Sequence, residues 1–314
     1  MKIGIIGYRN FAAKLSAQFK LSDLVSEIVY YHPTKKLEGL LYTNDFSEIC
    51  DCEAIVIASP DFTHADYLRK LNNYQGYIFC EKIPVIKSED IRYLDEWKNK
   101  QLYFNFMLRR SIVSELLTNS EDEIININIT HGHGLGFKES YKDNWRNDCN
   151  KTPMGVFQVS GIHFFDLLVY LFDEPESILY SSRVISPYGK TIDNFSVSME
   201  FKNKIIADLF FSYTSPCQNL FNITCKDKLY RINECGVAEY GPRDVFDSKG
   251  RFIPPPAMNK IGVDIFEDAL EKSVSYFLDI VKDKKEFPES SLETNLLSTK
   301  MFLNIQKDLE KRSV

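Results

Sequence analysis

The stretch that decides the fold is Lys2-Ile3-Gly4-Ile5-Ile6-Gly7-Tyr8-Arg9-Asn10-Phe11-Ala12, at the start of the sequence. Residues 2–7, which are apolar after Lys2, form a short run that is typical of a strand that a parallel sheet buries on both faces. Apolar residues then recur at helical spacing as far as Phe19, so the pattern predicts a strand, a tight turn and a helix. A βαβ unit begins in this way, and the stretch therefore indicates an α/β domain.

The residues that follow repeat the same alternation. Further strands are predicted at 27–31, 53–58, 77–80 and 102–106, and helices at 63–71 and 88–99. Strands that alternate with helices of this length form a parallel sheet through right-handed crossovers. The sequence therefore predicts a Rossmann-like domain over residues 1–118.

The pattern changes after residue 118, where polar and apolar residues alternate as they do in half-exposed strands. Because the connections between these strands are short, they favour hairpins and a mostly antiparallel, open sheet. We therefore predict an α/β fold with a second, α+β domain over residues 119–314, whose last helix can pack back on the first domain. Its strands are predicted at 123–129, 178–184, 194–201, 205–213, 220–225 and 229–232, its helices at 155–172, 263–281 and 292–311, and a loop at 254–256.

Composition and charge argue against several classes of protein. The 314 residues are 44% apolar and 26% charged, which is ordinary for a globular protein. A net charge of −6 and a pI near 5.5 argue against nucleic acid and anionic membranes as partners. No apolar run approaches the roughly 20 residues that span a bilayer, and the first residues lack the layout of a signal peptide. Seven irregularly spaced cysteines indicate a reducing compartment, so a cytoplasmic protein is expected.

The turn after the first strand has the pattern of a dinucleotide-binding turn, with one change. Such a turn requires small residues where the backbone approaches the pyrophosphate, and a helix N-terminus directed at it. Gly7 fills the first glycine position and Ala12 the third, whereas Arg9 occupies the second. Two interpretations follow. Either the Arg9 guanidinium turns aside and pairs with the pyrophosphate, or the turn only connects a strand to a helix.

The end of the second strand bears on the choice of cofactor. An acidic residue at this place usually holds the ribose 2'-hydroxyl of NAD. The chain instead has His32, Thr34, Lys35 and Lys36, with no carboxylate among residues 30–36. These side chains suit a 2'-phosphate, so NADP is preferred over NAD as the predicted cofactor. The alternative is that the lysines belong to a solvated turn.

A lysine follows the strand predicted at 77–80. In Cys80-Glu81-Lys82-Ile83-Pro84, two charged residues come directly after an apolar strand, where burial without partners is costly. Ligands of an open α/β sheet bind at the carboxyl ends of its strands. A partly desolvated Lys82 at this place can lose its proton near neutral pH and take part in proton transfer. The alternative is an ordinary surface lysine.

A histidine in the second half is a further candidate. His163 lies in the helix predicted at 155–172, where Val159, His163 and Asp166 share one face because of their spacing. A lone histidine on an apolar helix is more often a hydrogen-bonded core residue. Gly161, however, allows another backbone or a ligand to come close, which favours a functional histidine.

No metal site is predicted. His131 and His133 can point to one side of a strand as metal ligands, but no third ligand is evident in the sequence. Cys50-Asp51-Cys52 is not a CxxC motif and has no second pair.

Several short segments along the chain match a known pattern when they are taken in order. They are Ile3-Gly4-Ile5-Ile6-Gly7, Ala58-Ser59-Pro60 with Thr63-His64, Cys80-Glu81-Lys82, Asn105 to Arg109, Asn144-Trp145-Arg146, Gly161-Ile162-His163 with Asp166, and Asp283 to Phe287-Pro288. Each segment is weak by itself, but their order and spacing are specific and span nearly the whole chain. Together they resemble the Gfo/Idh/MocA family, which is named after glucose–fructose oxidoreductase and inositol dehydrogenase.

The resemblance implies a bound NAD or NADP, and oxidation or reduction at a carbon of a sugar, cyclitol or sugar nucleotide. It implies that Lys82 and His163 are catalytic and move the hydroxyl proton, and that Trp145 and Arg146 join them in contacting the substrate. It also implies an open sheet that forms the interface of a homodimer or homotetramer. The residues assigned to the cofactor are Gly7, Arg9, Asn10, Phe11, His32, Thr34, Lys35, Ser59, Pro60, His64, Glu81 and Arg109.

Departures from the family pattern leave two functions open. Arg9 replaces the second glycine, the proline after Lys82 is displaced by one residue to Pro84, and Val159 stands where catalytic members have an aspartate. The first hypothesis is an NAD(P)-dependent dehydrogenase or reductase acting on CH–OH groups, which the retained Lys82 favours. The second is a non-catalytic ligand-binding or regulatory protein on the same fold, since fold does not fix function.

Overall fold

The structure is a computed structural model, and it describes residues 1–95, 97, 101–119, 123–233, 236–241, 246–253, 258–262 and 265–312. The loop predicted at 254–256 lies outside these residues, as do residues 96, 98 and 99 of one predicted helix and residues 263–264 of another. The chain divides into two compact units, one of Met1–Arg110 with Ala269–Val314 and the other of Ser111–Asp268. The domain boundary after residue 118 stays a prediction. Within the described ranges, no helix combines the length and the apolar character needed to cross a membrane.

The first unit is built on a six-stranded parallel sheet. Its strands are β1 Lys2–Ile6, β2 Glu27–Tyr31, β3 Tyr42–Thr43, β4 Ala54–Ile57, β5 Tyr77–Glu81 and β6 Leu102–Asn105. The order is β3-β2-β1-β4-β5-β6, and all neighbours run parallel. The order reverses between β1 and β4, which opens a crevice at the carboxyl ends of the strands. The predicted Rossmann-like sheet is confirmed.

Helices cover this sheet, and aromatic side chains form much of the packing. The α-helices of the described residues, of which α5 and α6 belong to the second unit, are α1 Asn10–Phe19, α2 Phe46–Cys50, α3 His64–Lys70, α4 Ser88–Asp95, α5 Ile112–Asn119, α6 Ile162–Phe172, α7 Ile265–Lys282 and α8 Glu289–Arg312. Phe79 of β5 packs edge-on against Phe19 of α1 and Phe277 of α7, with ring centroids 5.6 and 5.3 Å apart. Burial of each ring contributes roughly 1.5–3 kcal/mol. This packing fixes α7 against the strand that ends at Glu81.

The second unit contains an eight-stranded sheet in the order β14-β13-β12-β11-β7-β10-β9-β8. Its strands are β7 Ile124–Gly132, β8 Ser177–Arg183, β9 Asn194–Glu200, β10 Ile206–Ser212, β11 Gln218–Cys225, β12 Leu229–Asn233, β13 Gly236–Tyr240 and β14 Asn259–Lys260. Neighbours are antiparallel apart from the parallel pair β7 and β10. The ring of Phe164 in α6 stacks on the ring of Phe211 in β10, on one face of this sheet. The predicted mostly antiparallel sheet is confirmed, whereas the short strands β3, β13 and β14 were not predicted.

Residues 155–172 are helical, as predicted, but the helix is not α-helical throughout. Residues Phe157–Gly161 form a π-helix between the α-helical residues 155–156 and the α-helix Ile162–Phe172. A Cβ on Gly161 would lie 2.7 Å from the Phe211 ring, so the glycine allows this segment to pack tightly on the sheet. Because a π-helix has i→i+5 hydrogen bonds, Val159 does not keep the α-helical spacing to His163 from which a shared face was predicted.

Candidate functional site

The turn after β1 fits a dinucleotide. Gly7 has φ +120°, and a Cβ there would lie 2.7 Å from the carbonyl oxygen of Ala58, so only glycine suits this crossing. α1 begins at Asn10, directly followed by Phe11, and its N-terminus has neither a side-chain cap nor an acidic residue in the first turn. Its first amide groups therefore point at a place that suits the pyrophosphate of a nicotinamide dinucleotide.

A cationic cluster lies beside this turn, at the end of β2. Lys35 Nζ donates a hydrogen bond to Tyr8 Oη over 2.9 Å, and hydrogen bonds from Lys35 and Arg9 lower the pKa of Tyr8. His32 Nδ1 accepts hydrogen bonds from the backbone amides of Thr34 and Lys35, over 3.2 and 2.9 Å. Burial, aided by the charges of Lys35 and Arg9, lowers the pKa of His32. Two cations from separate loops thus meet at one hydroxyl group.

The end of β4 is tied to the segment that carries the lysine. Ser59 and Pro60 lead into a 3-10 turn, Asp61–Thr63, and His64 follows it with no exposed surface. His64 Nδ1 lies 2.8 Å from the Ile83 carbonyl oxygen, and Nε2 lies 2.9 Å from the Ser59 carbonyl oxygen. Burial lowers the pKa of His64, while Asp61 and the two carbonyls act in the opposite direction. Both ring nitrogens of His64 thus face backbone carbonyls, and its assignment to the cofactor site stays a prediction.

Lys82 lies at the carboxyl end of β5, next to a buried carboxylate. The Lys82–Ile83 peptide bond is cis, and the Lys82 side chain is partly buried rather than fully exposed. Glu81 is 6% exposed, and Asn105 Nδ2 donates to its Oε1 over 2.6 Å. Burial raises the pKa of Glu81 to about 7, although the Asn105 hydrogen bond and the charge of Lys82 oppose the shift. Glu81 therefore titrates near neutral pH.

Arg109 lies beyond the neighbouring strand, in the 3-10 turn Met107–Arg110 that follows β6. Its guanidinium lies 5.1 Å from the centroid of the Phe106 ring. The next residue, Arg110, places its guanidinium 3.6 Å from the centroid of Tyr276 on α7. The structure thus brings the first-unit candidates to the carboxyl edge of a single sheet.

Some residues at this edge were absent from the predicted site, and Tyr8 and Ser273 are two of them. Tyr8 directly follows Gly7, and that position could have indicated it. Ser273 of α7 donates a hydrogen bond to Asn105 Oδ1 over 2.6 Å, across a separation of 168 residues. No local pattern in the sequence indicates a contact over that distance.

In the second unit, the structure brings Trp145 and Arg146 together. Both belong to the 3-10 turn Trp145–Asn147, and the Arg146 guanidinium lies 4.5 Å from the Trp145 ring centroid. Thr152 is fully buried, and its hydroxyl donates to the Arg146 carbonyl oxygen over 2.9 Å. This hydrogen bond ties the turn to the loop that leads into the π-helix.

His163 lies in the first turn of α6, and its side chain is partly exposed, as is that of Val159, whereas Asp166 is fully buried. Gln158 is also fully buried, and its Nε2 donates to the Lys151 carbonyl oxygen over 3.1 Å. The Gln158 amide therefore does not replace the missing aspartate. Lys82 belongs to the first unit and His163 to the second, so their meeting at one site stays a prediction.

His131 of β7 and His133, which directly follows Gly132 at the end of this strand, lie close together. The rings of His131 and His133 lie edge to face, with centroids 6.5 Å apart. In the described part of the chain, no group of three or more His, Cys, Asp or Glu side chains could hold a metal ion.

A parallel sheet in this order, with a glycine turn after its first strand, is the arrangement of a Rossmann-type fold. Residues 122–231 match the family model "GFO/IDH/MocA C-terminal domain". The glucose-6-phosphate 3-dehydrogenase of Bacillus subtilis is 26% identical over 244 residues, which cover 69% of this chain and 68% of that protein. The predicted resemblance to the Gfo/Idh/MocA family is therefore confirmed over residues 122–231.

Solved structures agree with this fold. A levoglucosan dehydrogenase in complex with NADH and levoglucosan matches with a TM-score of 0.76 and 15% identity, over 95% of each chain. The UDP-N-acetylglucosamine 3-dehydrogenase of Acidithiobacillus ferrooxidans matches with a TM-score of 0.74 and 14% identity, over 98% of this chain and 97% of that one. These relatives and neighbours are sugar or sugar-nucleotide dehydrogenases.

The substitution Glu81→Gln should change how stability depends on pH. The pKa of Glu81 in the folded chain is about 7, above its ordinary value of 4.5. This group therefore stabilises the fold fully below about pH 4.5, and that contribution is lost as the pH rises through about 7. Relative to Glu81→Gln, the wild type should lose about 3 kcal/mol of unfolding free energy over this range.

Thermal unfolding midpoints across the pH range check this prediction. Glu48→Gln removes an exposed carboxylate and is the control, since its midpoints should follow those of the wild type. Parallel pH curves for the wild type and Glu81→Gln would show that Glu81 does not titrate near neutrality.

Proposed function

We propose that this chain is an NAD(P)-dependent oxidoreductase that acts on an alcohol or ketone carbon of a sugar, cyclitol or sugar nucleotide. The observation that carries the proposal is the partly buried Lys82 at the carboxyl end of β5, on the same sheet edge as the Gly7 turn. A lysine at this place has the chemistry for proton transfer, whereas a protein that only binds a ligand has little need of it. The names of the relatives, which act on glucose 6-phosphate, levoglucosan and a UDP-sugar, support this substrate class.

The residues take separate roles in this proposal. The cofactor, when bound, supplies or accepts the hydride. Lys82 moves the hydroxyl proton, His163 is the second proton-transfer group, and Trp145 and Arg146 bind the substrate. Glu81 and His64 position the lysine. The cofactor itself is held by Gly7, Arg9, Asn10, Phe11, His32, Thr34, Lys35, Ser59, Pro60 and Arg109.

NADP is the preferred cofactor in this proposal. Lys35 and Arg9 meet at the Tyr8 hydroxyl, beside His32 at the end of β2, where a carboxylate would favour NAD. A phosphate group placed there would accept hydrogen bonds from both cations. Tyr8 is the residue that draws the two loops together, so we add it to the cofactor site.

A non-catalytic ligand-binding or regulatory protein is the second candidate function. Val159 in place of an aspartate and Arg9 in place of a glycine are the features that favour it. Turnover by the purified protein separates the two functions.

A homodimer or homotetramer is proposed on the open face of the second sheet. Leu179 of β8 is 74% exposed and Ile206 of β10 is 45% exposed on that face. The mass of the protein in solution tests this assembly.

We expect no nucleic acid or membrane partner, and a cytoplasmic location stays a prediction.

Lys35→Ala should weaken NADPH binding much more than NADH binding. Loss of a charge-assisted hydrogen bond to the 2'-phosphate corresponds to about ten- to hundredfold in the Kd for NADPH. Fluorescence titration with both cofactors measures the ratio. Lys36→Ala is the matched control, because the hydrogen bond to Tyr8 comes from Lys35 and not from its neighbour. Equal losses of NADPH and NADH affinity in Lys35→Ala would show that Lys35 does not recognise the 2'-phosphate.

Lys82→Ala should abolish turnover without preventing cofactor binding. Removal of a proton-transfer group lowers kcat by roughly 10²- to 10⁴-fold. Absorbance of the reduced nicotinamide measures turnover on a panel of free sugars, sugar phosphates and UDP-sugars. The wild type should reduce or oxidise a member of this panel. Undiminished kcat in Lys82→Ala would exclude the lysine from the mechanism, and an inactive wild type that binds NADPH would favour the second function.

A further inference from the structure

A chain of buried hydrogen bonds ends at the residue before the lysine. Tyr103 Oη lies 2.7 Å from Ser273 Oγ, Ser273 Oγ donates to Asn105 Oδ1 over 2.6 Å, and Asn105 Nδ2 donates to Glu81 Oε1 over 2.6 Å. Ser273 and Asn105 have no exposed surface, and Tyr103 and Glu81 are 6% exposed. Because the Ser273 proton is directed to Asn105, Tyr103 must be the donor of the first bond. All three bonds therefore point towards the Glu81 carboxylate.

The direction of these hydrogen bonds determines whether they stabilise the ionised or the neutral form of Glu81. Donors aimed at a carboxyl group favour its ionised form, and successive bonds of one direction polarise each other. Burial favours the neutral form, and the balance places the pKa of Glu81 at about 7. Above neutral pH, in the range where lysines titrate, Glu81 therefore carries a buried negative charge next to Lys82.

We propose that Glu81 is the buried counter-charge that sets the proton affinity of Lys82, and that Ser273 of α7 holds it in place through Asn105. Glu81 is a positioning residue, since it acts on the reaction only through the lysine. The catalytic consequence rests on the proposed function, whereas the charge relation between the two residues does not. Helix α7, which lies far from β5 in the sequence, becomes part of the active-site support.

Other charged groups face the same region. Burial lowers the pKa of His64 of α3, and the charge of Lys82 adds a smaller shift in the same direction. The charge of Asp61, in the turn before α3, acts in the opposite direction and favours a higher pKa of His64. At the Tyr103 end of the hydrogen-bond network, burial raises the pKa of Tyr103, and the charges of Arg110 and Arg109 oppose that rise. The Glu81 carboxylate is the anion that directly precedes Lys82, and its ionised form is favoured by the lysine charge in turn.

The simpler alternative is that these hydrogen bonds only pack α7 against the sheet. A packing role predicts lower stability after substitution, with no change in the pKa of Lys82. A counter-charge predicts a lower pKa, because an opposite charge stabilises the ammonium form and its removal destabilises that form. The pKa of the lysine therefore separates the two roles.

Competitive labelling of the full-length protein with acetic anhydride gives that pKa, since only the neutral amine reacts. The extent of acetylation at Lys82 is read by peptide mass spectrometry from about pH 6 to pH 11. In Glu81→Gln the midpoint should fall by about one pH unit or more. Ser273→Ala should give a smaller fall in the same direction. Ser298→Ala, which removes another buried helical serine in α8, should leave the midpoint unchanged.

An unchanged or raised midpoint in a folded Glu81→Gln protein would overturn the proposal. Circular dichroism confirms folding, and if Glu81→Gln does not fold, Ser273→Ala decides by the same measurement. Labelling requires neither cofactor nor substrate, so its outcome is independent of turnover. If the Lys82 midpoint does not shift, the oxidoreductase proposal still stands. If the midpoint shifts but the wild type shows no turnover, only the oxidoreductase proposal fails.

Discussion

Both faces of the first sheet are covered, and the four residues of β4 have no exposed surface. Polar side chains cannot be accommodated along such strands without costly desolvation, so they collect where the strands end. The reversal of strand order between β1 and β4 places a crevice at that edge. The position of the Gly7 turn, the cationic cluster and Lys82 all depend on this constraint.

Hydrogen bonds between strand ends make the edge a defined site. His64 connects the end of β4 to the residue after Lys82, and Asn105 connects the end of β6 to the residue before it. The lysine is therefore supported on both sides by buried groups. Catalytic groups must be held close to the reactive geometry, and supports of this kind supply that precision without contacting the substrate.

Much of the fold could be predicted from the sequence, because buried strands leave continuous apolar runs and half-exposed strands leave alternating ones. Lys82 could be placed because its strand is among the most apolar of these runs. The contact of Ser273 with Asn105 could not be predicted, since only tertiary packing brings these two residues together across 168 residues. The π-helix at Phe157–Gly161 was also missed, because a 3.6-residue period continues through it.

Hydrogen–deuterium exchange with and without a saturating cofactor tests most directly whether the carboxyl edge of the first sheet holds a nicotinamide dinucleotide. NADPH, with NADH in parallel, should slow exchange in peptides that cover residues 7–13, 31–36, 58–64 and 81–84. Exchange in residues 177–183 of β8 should stay the same. Unchanged exchange in the first set of peptides with both cofactors, or protection found only in the second unit, would contradict a dinucleotide site at this edge.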